Sequence, residues 1–186
     1  MSPEHNVKLA FTRMLAGQMD YTPGGFLNVT RENWKQQVPA LVWNTRAAEL
    51  AKFVVYESPL TVVCDHPDHI LNQPGADFLK IVPTVWDDIR FLGGYPGDYV
   101  ALAKRSGDTW FIGVMNNQVG KQVMIPTGFL PEGEYDLESW SDTKKSDTLP
   151  ADVLKKFSKI KAGEPLKITL AKNGGYTGVI RKRYNP

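Results

Sequence analysis

At 186 residues and 42% apolar content, the chain can build one sizeable packed domain, or a small domain with an appendage. A whole (β/α)8 barrel, which takes about 250 residues, is excluded by length. The 22 basic and 20 acidic residues leave a net charge of +2 spread along the chain, which gives no reason to expect nucleic acid or an anionic membrane as partner.

Leu9 to Gly17 mixes apolar residues with Arg13 and ends in glycine, the composition of a short inner strand of a parallel barrel. Gln18 to Asn28, with Asp20, Tyr21, Pro23, Gly24 and Gly25, reads as the turn-rich loop at the C-terminal end of that strand. Arg31 to Leu41 is polar around Trp34 and is either a short helix or a connector. The strongest helix signal starts at Asn44 or Thr45, either of which can cap free backbone N–H groups. It runs through Ala47, Leu50, Ala51, Val54 and Val55 at spacings of three and four, and Pro59 stops it. Pro74-Gly75 and Pro83 punctuate a mixed stretch in which Ala76 to Leu79 is a candidate helical turn.

From Tyr99 the period changes to alternation. Val100, Leu102 and Lys104 lie opposite Ala101 and Ala103, a Ser106-Gly107-Asp108 turn follows, and Trp110, Ile112 and Val114 alternate with Phe111, Gly113 and Met115. Further strands are predicted at 122–125, 134–140, 166–170 and 176–182, with turn signals between them, and a brief surface helix at 147–156. This is the pattern of an antiparallel sandwich. The chain therefore divides into two unlike parts, residues 1–82 and residues 83–186, and the fold class is α+β. The second part is expected to fold alone, whereas the first leaves Leu9, Phe11, Met14 and one helix face without partners.

Few residues offer chemistry. Cys64-Asp65-His66-Pro67-Asp68-His69 is the densest group of metal-type ligands, but a catalytic zinc needs three ligands on rigid elements. His66 and His69 are thus weak metal candidates in a solvated loop, and no metal is assigned. Cys64, the single cysteine, excludes an intrachain disulfide, lacks an activating neighbour and reads as a buried small residue. Trp110 alternates with core residues and reads as interior, whereas Trp86 and Trp140, each near acids, are candidate platforms for stacking on a sugar ring. Arg13 reads as a loop-holding residue, and Arg181-Lys182-Arg183 as a solvated tail. No basic and apolar leader opens the sequence and no apolar run reaches about 18 residues, so the chain as written is expected to be soluble and cytoplasmic.

Six ordered segments carry a resemblance. They are Phe11 to Gly24 (Phe-Thr-Arg-Met-Leu-Ala-Gly-Gln-Met-Asp-Tyr-Thr-Pro-Gly), Asn44 to Ala51, Val54 to Leu60, Pro83 to Asp88, Pro96 to Val100 and Phe129 to Tyr135. Together they resemble the C-terminal part of glycoside hydrolase family 97, bacterial α-glucosidases and α-galactosidases. Ala10 and Gln18 depart from it, since proline is usual at both places. The resemblance implies a parent enzyme with an N-terminal β-sandwich, a calcium-binding catalytic barrel and a C-terminal β-sandwich that oligomerises. In this chain it implies the last strand and helix of the barrel, followed by that sandwich.

The family's catalytic acid/base and calcium-binding glutamates lie upstream of the segment matched by Pro3-Glu4-His5-Asn6, so no catalytic residue and no cofactor are assigned here. Glycoside hydrolysis needs two carboxyl groups across the scissile bond, which Glu4 beside His5 does not supply. The expected role is structural and oligomerising, with Phe11, Met14 and the Leu50/Val54 face meeting between copies. The parent enzyme is expected to be periplasmic or secreted. Two alternatives are a carbohydrate-binding accessory module and a glycosidase whose site another chain completes.

Overall fold

Alternating side chains on either side of Gly107 close a hairpin of β2 (Tyr99–Ser106) and β3 (Thr109–Asn116), in register from Tyr99 opposite Asn116 to Ser106 opposite Thr109. The structure, a computed structural model, describes residues 2–183. On one side the hairpin is extended by β1 (Asp88–Tyr95) and on the other by β8 (Gly175–Lys182), β5 (Glu134–Ser141) and β6 (Leu154–Lys161). The result is a six-stranded antiparallel sheet of order β1-β2-β3-β8-β5-β6. A two-stranded sheet of β4 (Lys121–Ile125) and β7 (Leu166–Leu170) covers one face. There Val123, Ile125, Ile168 and Leu170 join Ala101, Ile112, Val114, Leu137 and Ile180 in one core, so the sandwich expectation holds.

The opposite face is closed by the N-terminal part. Thr45 accepts the Ala48 N–H at the start of α2 (Arg46–Val55), as its capping residue type predicts, and α2 lies across β2, β3 and β8. Leu50 and Val54 are buried against Phe26, Phe53, Phe78, Phe111, Trp140 and Val179. Burying each of them stabilises the fold by about 1.5–3 kcal/mol. Two glycines let the helix come this close. A Cβ on Gly113 would lie 2.8 Å from the Val54 side chain and 3.0 Å from the Ala51 carbonyl, and one on Gly175 only 2.5 Å from the Ala48 Cα. The Leu50/Val54 face is therefore covered within the chain, which corrects its assignment to a contact between copies.

Other expectations change too. Residues 9–17 form no strand; they belong to α1 (Pro3–Phe11) and a 3-10 turn, Arg13–Ala16. Ser2 accepts the His5 N–H, Pro3 occupies the first turn, Glu4 sits at the positive end of the helix, and Lys8 pairs with Glu4 at 2.5 Å. A helix satisfies its own backbone, whereas a lone strand here would have no neighbour. Residues 31–41 form a connector beginning in a turn, and the predicted helical turn is a 3-10 turn at Phe78–Lys80.

The helix predicted at 147–156 is replaced by turns and then β6, whose lysines hide its alternation. Strand β1 is hidden in the sequence because Gly93-Gly94 reads as a turn, whereas the two glycines pair with Ala101 and Val100 beyond a bulge at Leu92. Arg181 and Lys182 belong to β8 rather than a tail: Arg181 pairs with Glu138 at 3.3 Å, and the neighbouring Arg183 with Glu134 and Asp136. Among the described residues no helix is long and apolar enough to cross a membrane.

Candidate functional site

Of the tryptophans proposed as sugar platforms, Trp140 is fully buried and Trp86 is partly covered. Trp140 has no exposed surface; its ring lies 5.2 Å from that of Phe78 and its Nε1 donates to Asp77 at 3.1 Å. It offers no face to a ligand, which corrects the platform reading at this position. Burial raises the Asp77 carboxyl, but the Lys155 and Trp140 hydrogen bonds outweigh it and hold the group below the usual carboxylate range. Trp86 is half-buried, with Phe111 edge-on at 5.4 Å and the Lys104 ammonium 5.5 Å from the ring centre. Trp110 is interior and packs against Phe129.

His66 and His69 hold a loop. The His66 ring accepts the Asp68 N–H at the start of α3 (Pro67–Ile70), and His69 Nδ1 lies 2.6 Å from Asp65 Oδ1. Asp65 also accepts the Phe26 and His66 N–H groups, each at 2.8 Å. Calcium requires six to eight oxygen ligands, and the Asp65 oxygens already carry these donors, so this loop does not fit that ion. Among the described residues no group of three or more histidine, cysteine or acidic side chains is placed to hold a metal.

Cys64 is exposed rather than buried, yet partial desolvation of the thiol, with Glu49 acting in the same sense, pushes it up to about 11. It is a poor nucleophile at neutral pH. Arg13 donates to the carbonyls of Gly17 and Gln18, the loop-holding role its position suggests, while Glu4 is paired with Lys8 at the surface.

The densest polar centre carries no sequence signature and lies on the inner side of α2. Glu49 is 1% exposed. Its Oε2 accepts the N–H groups of Gly24 and Gly25 at 3.1 and 3.2 Å, and its Oε1 accepts from Asn44 Nδ2 and Lys52 Nζ, each at 2.5 Å. Burial lowers the Lys52 ammonium, but the Glu49 charge overcomes this and the group ends above its ordinary value. Tyr21 packs on Tyr56, whose hydroxyl donates to the Asn6 carbonyl at 2.7 Å and so brings in α1. Arg46 fastens the same loop through Asn28 at 2.8 Å and the Phe26 carbonyl, with its guanidinium 4.5 Å from the Phe26 ring.

Both Glu49 oxygens are occupied, so this centre is a lock and not an acid or a base. Asp142, pushed up to about 6 by burial, holds the Ala171 and Gly175 N–H groups at 2.9 and 2.8 Å. The two carboxylates line different cavities, of about 180 Å³ and 330 Å³, and among the described residues each is the only carboxylate in its own. Neither cavity has the facing pair that glycoside cleavage requires.

Lys104 is a further buried charge, donating to the Tyr56 carbonyl at 3.1 Å under Trp86. Burial drives its ammonium down to about 8, against the weaker opposing pull of Glu57. The unfolded chain then binds more protons than the folded one above pH 8, so stability rises with pH. Lys104 alone is expected to add about 1 kcal/mol between pH 8 and 9, offset in part by Cys64, whose thiol begins to ionise in the unfolded chain within that window and stays protonated in the folded one. Urea unfolding at the two pH values checks this, and in Lys104→Met the gain disappears.

Outward-facing apolar side chains gather on the two edge strands. On β1, Ile89, Phe91 and Tyr95 are 42, 60 and 72% exposed, and Phe91 meets Phe11 edge-on at 6.0 Å. On β6, Leu154 and Phe157 are exposed among Lys155, Lys156, Lys159 and Lys161. Phe11 and Met14 are half-buried beside α1.

Residues 85–181 match a family model described as "Glycosyl-hydrolase 97 C-terminal, oligomerisation". A retaining α-galactosidase of Bacteroides thetaiotaomicron is 30% identical over 180 residues, 96% of this chain and 27% of that protein. A probable retaining α-galactosidase of Streptomyces bingchenggensis is 29% identical over 177 residues, 95% of this chain and 25% of that protein. A glycoside hydrolase family 97 enzyme from Pseudoalteromonas sp. strain K8, solved with panose, superposes with a TM-score of 0.86 at 30% identity, over 98% of this chain and 29% of that one. The chain thus spans about a quarter of the length of the curated relatives it matches.

Proposed function

Because the chain belongs to the glycosyl-hydrolase 97 C-terminal oligomerisation family, we propose that it is the structural and oligomerising portion of an α-glycoside hydrolase and performs no glycoside cleavage itself. The observation that carries this reading is the family match over residues 85–181, on a sandwich whose likeness to a family 97 enzyme extends over nearly the whole chain. The engaged carboxylates support the second half of it, since Glu49 and Asp142 hold backbone amides and, among the described residues, no second carboxylate lines the cavity of either. The curated relatives are retaining α-galactosidases, which makes α-galactosides the favoured substrates of the whole enzyme, with α-glucosides next. Calcium and a periplasmic or secreted location are assigned to that enzyme and not to these residues. The accessory-module alternative loses its Trp140 platform.

Light scattering on the purified chain at micromolar concentration is expected to give a dimer or a larger closed assembly. Nitrophenyl α-galactoside and α-glucoside are expected to remain intact with and without calcium. A monodisperse monomer overturns the oligomerising role. Turnover that disappears when an acidic residue is replaced overturns the absence of chemistry.

A further inference from the structure

We propose that the free edge of β1 is where two copies of this chain meet, antiparallel, about a two-fold axis passing near Ile89; this rests on the oligomerising reading above. β1 and β6 are the edges of the six-stranded sheet, and an unpaired edge is a template for another strand. The two edges differ in charge. β6 carries Lys155, Lys156, Lys159 and Lys161 and no acidic residue, so a second β6 laid against it would bring lysine towards lysine. β1 begins Asp88-Ile89-Arg90-Phe91, and a two-fold axis at Ile89 sets Asp88 opposite the partner's Arg90 and Arg90 opposite the partner's Asp88. The strand is complementary to itself in that one register.

Backbone and side chains agree with this. The Ile89 N–H is held by its neighbour, the Asp88 carboxylate, at 2.8 Å. Asp88 also pairs with Arg90 of the same strand at 2.8 Å. Exchange of that ion pair across the axis keeps the charges matched and releases the Ile89 N–H to the partner's Ile89 carbonyl. The two Ile89 side chains meet, and the exposed face of Phe91 gains cover. The bulge between Phe91 and Gly93 bends the strand away after residue 91, which ends the pairing and limits it to two copies. The product is one continuous sheet through both copies.

The test uses the whole chain and compares light scattering across a concentration series, with circular dichroism to confirm folding. Ile89→Lys is expected to raise the dimer dissociation constant by at least about tenfold. Asp88→Arg and Arg90→Asp each place like charges across the axis and weaken the dimer similarly, while the double variant D88R/R90D restores it. Phe157→Lys, on the other edge, leaves it unchanged. Because the double variant also rebuilds the ion pair within the strand, the outcome a merely structural defect does not produce is association of the two single variants mixed one to one, which places opposite charges only across the axis. A monomeric wild type removes the oligomerising reading together with this surface. If the wild type associates and Ile89→Lys still does so with undiminished affinity, only the surface is refuted. Dissociation by Phe157→Lys instead moves the interface to β6, and single variants that weaken without rescue refute the register.

Discussion

Glu49→Ala is expected to lower the unfolding free energy by about 3–5 kcal/mol, because it strips a buried ammonium of its counter-charge. Lys52 is 5% exposed and has no other carboxylate within ion-pair distance among the described residues. The same substitution leaves the Gly24 and Gly25 N–H groups and the Asn44 amide without their acceptor. Lys52→Met is expected to cost less, since Glu49 would keep three donors and lose one. The order of the two variants is therefore part of the prediction, and a simple ion-pair picture, in which both cost the same, does not give it. Equilibrium unfolding in urea measures the difference, and amide exchange reads the loop directly through faster exchange at Gly24 and Gly25. Equal destabilisation by the two variants, or a Glu49→Ala midpoint that does not move, sinks the assignment of this carboxylate as the anchor of the loop.

Trp140→Ala is expected to cost a similar amount, about 3–5 kcal/mol, by a different route. Here the loss is volume. The indole fills the space beneath Phe78, and alanine would leave a cavity that the sheet and the 3-10 turn cannot both close. Asp77 would lose its indole donor but keep Lys155, so the polar part of the penalty is the smaller one. Trp140→Phe separates them: it retains most of the packing, drops the N–H, and is expected to cost less than half as much. Denaturant midpoints for the two variants decide this. A Trp140→Ala protein as stable as the wild type would mean that the ring is not the packed group the structure places there.

How far the sequence could be read depended on how local each signal is. The β2–β3 hairpin was legible because its period of two and its Ser106-Gly107-Asp108 turn lie within eighteen consecutive residues. Helix α2 was legible from Thr45 and the spacing of its apolar residues. α1 was not, because the apolar stretch Leu9 to Gly17 overlaps its end and masks the Ser2-Pro3-Glu4 start that governs it. β6 was hidden by lysines, whose stems can lie along a strand while their charges stay in water.

The polar centre was out of reach for a related reason. Glu49 and Lys52, three apart on a helix, look like a solvated surface pair; they are buried because Gly24 and Gly25 fold back on them from 25 and 24 residues away. Trp140 sits between Ser139 and Ser141, a setting that suggests exposure. Its partner Asp77 lies 63 residues earlier, and nothing in the strand itself announces it.

The placement of α2 bears on how such a domain can be inherited. The segment recognisable as a family unit begins at residue 85, yet the cover for Phe111, Val179 and Trp140 is supplied largely by Phe26, Leu50, Phe53, Val54 and Phe78. The unit that is recognised and the unit that keeps a dry core thus have different boundaries. A graft of this sandwich on to another protein has to take the helix with it, and a recombination point between residues 55 and 85 would divide one core between two genes.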